Sequence, residues 1–558
     1  MKISSLLSDG CVLQRDSENK IWGQTNPLSD VTVKLIYNTE IIEEKACKAT
    51  EKGNFSIAFS PIKKGGPYSI EISDSIETVV INDVLFGDVF LLMGQSNMEL
   101  PVARTLDLNR EYAKKINNTN IRHFEVPKEW DFKEKNDDIY KGVWKKATQE
   151  NVYQFSALGF YFAEYVNADY DVPVGLLQTG CGGIQIEALI EEERLLNVGK
   201  ILKSNAIARG EKGCTCGKNQ SCKFCYEEVI ARDKSDEFIE NQTKADAKEQ
   251  NEFNERLSNS DPGLKADYIN KTTLFTPDET PRYINVPERW EAPNDSEFLH
   301  DVRGSVWCLK NFDVPPELVG KPARLYLGTI IDADETYING VKVGETFYRY
   351  PPRRYEVKEG ITREHNTLVV RVKVSQRYGG FVPEMPYYLD IEGNKIPLDG
   401  KYEVKIGANF TAEDGVVNNL PDSMFFLYRP CGMYNKMIYP LRNMSVKAFL
   451  FYQGESNSKM ALDYDPLMRE MVKGVRELFG EKLPLAFVQL PFFGQEDDDR
   501  GTSIWDDFRA VQAGLSNIPD SVMVDAYDLG FRYELHPQTK RELARRLFDN
   551  FKYVLYSN

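Results

Sequence analysis

Phe90-Leu91-Leu92-Met93-Gly94-Gln95-Ser96-Asn97-Met98-Glu99-Leu100 is the stretch that decides how this chain folds. With Val89 before it, the apolar run reads as a strand buried on both faces. The run stops at a glycine, and a serine follows two residues later. Open α/β sheets bind their ligands outside the carboxyl ends of such strands. A serine there contributes little to packing and is well placed to attack a substrate. An ordinary polar turn is the alternative, and these residues alone leave both readings open.

Three further segments have the same form. Phe451-Tyr452-Gln453-Gly454-Glu455-Ser456-Asn457 follows a strand-like run from Val446. Gln178-Thr179-Gly180-Cys181-Gly182-Gly183-Ile184 follows the apolar run 172–177. Leu535-His536-Pro537 precedes a strong C-terminal helix. Together the four transitions offer a hydroxyl, backbone amides, a carboxamide and an imidazole. Serine-based acyl transfer needs that set: a nucleophile, a base, and donors for an oxyanion.

The chain resembles the SGNH hydrolase superfamily, and within it the sialate O-acetylesterase family of carbohydrate esterases. The matching motifs are GQSNM at 94–98, FSALGFYFA at 155–163, VPVGLL with GGIQIEA at 172–188, MYNKMIYPL at 433–441, FYQGESN at 451–457, LAFVQLP at 485–491 and LHPQTK at 535–540. They run in the family's order and cover most of the chain, apart from about 190–290. The resemblance implies Ser96 as nucleophile and His536 as general base. It implies Asn457, Gly182 or Gly183, and the Ser96 amide as oxyanion donors, and it puts Gln95, Gln453 and Glu455 at the substrate. The chemistry suits each role. An imidazole takes the serine proton and returns it to the leaving alcohol, and glycine lets a backbone amide approach closely.

The acid of the triad is not decided by sequence. The family places an aspartate three residues before the histidine, where this chain has Tyr533. Glu534 and Asp528 are the two candidates, and a Ser96–His536 dyad is the remaining option. Of the four histidines, His123 lies in a strand-like run, His365 in a turn and His300 in a charged stretch. No HExxH or HxH spacing occurs, so a histidine-built metal site is not expected. No cofactor is expected for catalysis.

The chain has 558 residues, enough for several cores. With 42% hydrophobic and 28% charged residues it has the composition of a soluble globular protein. Its net charge is −16 and it has no basic block, which argues against nucleic acid as a partner. No apolar run approaches the ~20 residues needed to span a bilayer, and residues 1–10 lack a signal-peptide stretch. The expectation is therefore a cytoplasmic protein that does not bind membrane. Its oligomeric state is open, with a homodimer among the options. Four of the nine cysteines cluster as Cys214, Cys216, Cys222 and Cys225. Their CxC and CxxC spacing suits a small structural zinc site, with local disulfides or free thiols as alternatives.

The expected class is α/β. Residues 1–85 read as an N-terminal β-sandwich, from alternating runs such as Val31, Val33 and Leu35. Residues 86–195 read as the first part of a three-layer α/β/α SGNH domain, and 413–558 as its second part. Residues 196–290 form a charged insertion holding the cysteine cluster, with a polar helix expected from Ser235 to Ser258. Residues 291–412 are β-rich, with Asn339-Gly340 a strong hairpin signal. They resemble a galactose-binding-like jelly roll. Ser96 and His536 lie 440 positions apart and must meet in the fold.

The leading functional reading is an esterase that removes O-acetyl groups from sugars, first of all sialic acids. An acetyl xylan or hemicellulose-oligosaccharide esterase is the nearest alternative. A non-catalytic glycan-binding protein with a decayed hydrolase core is a third, and Tyr533 is the feature in its favour. A lipid or thioester hydrolase of the same superfamily is a fourth, opposed by the lack of an apolar lid.

Overall fold

The computed structural model describes residues 1–209, 226–290, 296–375, 378–410, 423–494 and 504–556. They form two compact units. The first comprises Met1–Phe238, Phe425–Gly530 and Pro537–Asn558. The second comprises Ile239–Met424 with the short segment Phe531–His536.

The first unit is built on six parallel strands: β1 (Thr78–Gly94), β2 (Asn118–Glu125), β3 (Val174–Gln178), β4 (Ala448–Tyr452), β5 (Leu485–Gln489) and β6 (Ser521–Asp525). Their order across the sheet is β2-β3-β1-β4-β5-β6. After β1 the chain lays down β2 and β3 on one side, then β4 to β6 on the other. The winding therefore reverses at β1, which is where α/β sheets open a ligand crevice.

Val89 to Met93 are wholly buried. Phe90 meets Phe162 edge-on, with ring centres 5.1 Å apart. Phe162 lies on helix α1 (Ala157–Tyr170). Strand alternation sends Leu91 and Met93 to the opposite face. Each such side chain contributes roughly 1.5–3 kcal/mol by leaving water, which explains an apolar run without alternation. Helix α2 (Glu192–Ala208) packs on α3 (Ala461–Phe479), and α3 on α4 (Ile504–Gly514). Helix α5 (Lys540–Tyr556) packs on α1, Phe548 meeting both Phe162 and Tyr165. The i, i+4 row Leu543, Leu547, Phe551 and Leu555 is its buried face.

The N-terminal strands join this sheet through β1 itself. Its first half pairs antiparallel with Gly65–Ser73 and its second half parallel with β3 and β4. β1 therefore runs unbroken across the expected boundary at 85, and the strands on both sides share one hydrophobic core.

The second unit is antiparallel β throughout its two main sheets, one of six strands and one of four. Val306, Leu368 and Val370 from the first share a core with Leu325, Leu327 and Leu389 from the second. Asn339 and Gly340 take φ of 52° and 82° between paired strands 333–338 and 341–346. Two positive φ values are what a type I′ hairpin turn requires. The polar helix of the insertion runs from Asp236 to Ser260. Cys214, Cys216, Cys222 and Cys225 lie outside the described residues. Among those described, no group of three or more His, Cys, Asp or Glu side chains is placed to hold a metal. No described helix is long and apolar enough to cross a membrane.

Candidate active site

The site grows from the end of β1. Gly94 pairs with Tyr452 of β4, and the Gln95 amide donates to the Tyr452 carbonyl at 2.9 Å. Gly94 has φ +135°, and a Cβ there would lie 2.1 Å from the Tyr452 oxygen. Only glycine lets the two strand ends close up this tightly. On the other flank, the Cys181 amide donates to the Gly94 carbonyl at 3.0 Å. The loops after β1, β3 and β4 are thus stitched together by backbone bonds.

Ser96 opens a short helical turn, Ser96–Glu99, and is half-buried. Among the described residues its hydroxyl makes no hydrogen bond, and neither does its backbone N–H or that of Gly183. Gly182 lies beside the serine: a Cβ on it would sit 3.6 Å from the Ser96 Cβ. The Ser156 hydroxyl, which caps α1 by accepting from the Gly159 amide, donates to the Met98 carbonyl at 2.6 Å. The nucleophile turn is therefore tied to the helix layer as well as to the sheet.

Two expected oxyanion donors each have a carboxylate partner, and Asn457 Nδ2 keeps a second N–H beyond that bond. The Gly182 N–H donates to Glu99 Oε2, and Glu99 also pairs with Lys128. Asn457 is 1% exposed. Its Nδ2 donates to Glu187 Oε2 at 3.0 Å, while its Oδ1 accepts from the Ile186 amide and from Gln453 Nε2. Burial raises the Glu187 carboxyl above its ordinary range, and the bonds from Asn457 and the Tyr226 hydroxyl pull the other way.

The residues expected at the substrate are largely framework. Gln95 Oε1 accepts from the amides of Gly454 and Ser456, fixing the loop after β4. Gln453 is buried, its amide donating to the Ile184 carbonyl and its Oε1 accepting from the Tyr464 hydroxyl. Glu455 is nearer the nucleophile: its Oε1 accepts from Asn97 Nδ2 at 2.6 Å, and its Oε2 is buried without a described partner. Burial pushes this carboxyl up to about 7, although Asn97 and Lys540 favour its charged form.

That shift has a testable sign. Between about pH 4.5 and 7 the native protein holds a proton at Glu455 that the unfolded chain has released. Native stability from this group therefore falls as pH rises through that window. Glu455→Gln keeps an acceptor for Asn97 and cannot ionise. Its melting temperature should gain on wild type between pH 5 and pH 7.5. A difference that stays constant across that range would show that Glu455 does not titrate there.

The two candidate acids differ sharply. Asp528 is exposed and gripped by both terminal nitrogens of Arg546, at 2.7 and 2.9 Å, which holds its carboxyl below the usual range. Glu534 is 8% exposed, within the second unit, and bonds Arg354 at 3.3 Å. His536 is half-buried and belongs to the same short segment, Phe531–His536. His123 is a packing residue. It stacks on Phe155 with ring centres 4.6 Å apart, and burial holds its pKa down near 3. Tyr434 is buried, and Phe493 packs against Trp505, as core fillers do. Sequence reasoning missed Asn97, Glu99, Glu187, Tyr428 and Lys540. Four of them lie inside or beside the quoted motifs, and Tyr428, whose ring lies against Gly183, carried no signal.

Comparison with known proteins agrees with the motif reading. A family model described as carbohydrate esterase, sialic acid-specific acetylesterase, matches residues 426–552. The sialate O-acetylesterase of Homo sapiens is 29% identical over 199 residues, covering 34% of this chain and 38% of that protein. That of Mus musculus is 30% identical over 199 residues, covering 33% and 37%. That of Rattus norvegicus is 28% identical over 242 residues, covering 40% and 44%. The matches therefore span less than half the length of these curated relatives. The crystal structure of XAC1771, a carbohydrate acetylesterase from Xanthomonas citri, superposes with a TM-score of 0.56 at 19% identity. It covers 100% of this chain and 76% of that one, which shows a shared fold. By these matches the chain is related to the sialate O-acetylesterases, which are carboxylic ester hydrolases.

Proposed function

We propose that this protein is a serine carbohydrate esterase that removes O-acetyl groups from sugars, with O-acetylated sialic acids as the first substrate class. The observation that carries this reading is Ser96 itself. It stands where the winding of the sheet reverses, with Gly182 beside it and with its hydroxyl and its own amide making no hydrogen bond among the described residues. The first unit is read as an SGNH-type α/β/α domain with an N-terminal β-sandwich, and the second as a galactose-binding-like jelly roll.

In this mechanism Ser96 Oγ attacks the acetyl carbonyl carbon while His536 takes the hydroxyl proton. The Ser96 and Gly183 amides receive the oxyanion, each such donor contributing about 3 kcal/mol. The carbon–oxygen bond to the sugar then breaks, and His536 returns its proton to the leaving sugar oxygen. Water, deprotonated by His536, attacks the acetyl-enzyme, and acetate leaves as Ser96 is re-protonated. Glu534 fits the orienting role better than Asp528, because it is buried and Asp528 is a solvated partner of Arg546. Gly182 can serve as a third donor only after Glu99 releases its amide.

Acetate release from a panel of acetylated sugars tests this function. Release from O-acetylated sialic acids faster than from acetylated xylo-oligosaccharides is the expected result. The reverse order would move the substrate to hemicellulose, and binding without acetate release would defeat the esterase reading.

A further inference from the structure

Helix α5 opens on Lys540, a cation at the end of a helix that disfavours one. The residue is also 1% exposed. Burying a lysine head group costs several kcal/mol unless its donors are satisfied. Its Nζ donates to Asn97 Oδ1 at 2.8 Å and to the Pro537 carbonyl at 2.8 Å. The Tyr452 ring lies 5.5 Å from it. The other end of the Asn97 amide donates to Glu455, which Lys540 also attracts through space.

The identities of the two acceptors matter more than their number. Asn97 is the residue after Ser96, and Pro537 is the residue after His536. We propose that Lys540 is a positioning residue that holds the side chain of the residue following the nucleophile and the carbonyl of the residue following the base in one frame. Asn97 passes that constraint on to Glu455 in the loop after β4. One buried head group thus registers three loops that come from widely separated parts of the chain. A lysine serving only stability would not need to be buried at a helix N-terminus to supply it. The inference rests on Ser96 and His536 being the catalytic pair.

The test uses the full chain and 4-nitrophenyl acetate. Lys540→Met keeps the apolar stem and removes the donors. Displacing catalytic groups by about 1 Å can cost 10²-fold, so kcat should fall about tenfold or more while KM stays within about threefold. Asn97→Ala cuts the same tether from its other end. The double variant should lose no more than the worse single one, because coupled residues are not additive. Multiplicative losses, or a Lys540→Met kcat within about threefold of wild type, would overturn the tether. If Lys540→Met does not fold, Asn97→Ala carries the test alone, by the same split between kcat and KM. Ser96→Ala keeps the two failures apart. If it retains turnover, the catalytic reading falls and takes the tether with it. If it is inactive while Lys540→Met and Asn97→Ala keep their kcat, only the tether falls.

Discussion

Ser96→Ala is expected to lower kcat/KM for 4-nitrophenyl acetate by at least ~10³-fold while leaving the protein folded. Both halves follow from the same observation. The hydroxyl makes no hydrogen bond to a described residue, so removing it strands no buried partner. A change of that kind moves stability by no more than about 0.5 kcal/mol. The chemistry has no such tolerance, because an alanine cannot form the acetyl-enzyme. What survives is the contribution of the open amides, which act on any water that reaches the carbonyl. Near-identical melting curves with activity lost would place the nucleophile at Ser96. Activity within tenfold of wild type would remove Ser96 from the mechanism and direct attention to another nucleophile.

The end of β1 could be read from sequence because its residues obey a single constraint. Val89 to Met93 have no polar face to offer, so the only environment that suits them is a strand covered on both sides. The boundary at 85 could not be read in the same way. β1 changes its partners there, from an antiparallel neighbour to parallel ones, and a strand's own residues do not say which strand lies beside it. The same limit applied to the donors. Asn457 and Gly182 were legible as groups able to bind an oxyanion, yet folding brings Glu187 and Glu99 against them. Both carboxylates stand in the quoted motifs, but spacing along a chain does not reveal which donor a side chain will find. Lys540 was hidden for the opposite reason. A lysine at the start of a polar-faced helix reads as solvated, and only the structure puts its head group under Asn97.

Gly94→Ala is expected to be among the most damaging single-methyl changes in the first unit, and one that reaches the nucleophile. The new Cβ would lie 2.1, 2.6 and 2.9 Å from the oxygen, carbon and nitrogen of Tyr452. All three are backbone atoms of β4, so no rotamer change can relieve the contact. The φ of +135° adds its own cost, since an L-residue strains there whatever the space. Strain of this kind costs of order 1–3 kcal/mol, and overpacking typically another 1–3 kcal/mol. Relief requires β4 to move away from β1, and that movement carries Gln95, Ser96 and the 453–457 loop with it. A loss of about 10²-fold in kcat should therefore accompany a fall in melting temperature. Gly480→Ala separates the two causes. Gly480 also has positive φ, +128°, but a Cβ there meets nothing within 4 Å. That variant should show the backbone cost alone, with wild-type activity and the smaller drop in melting temperature. If Gly94→Ala matched it in both measurements, the two strand ends would not be packed as tightly as drawn. The placement of Ser96 would then not depend on glycine at 94.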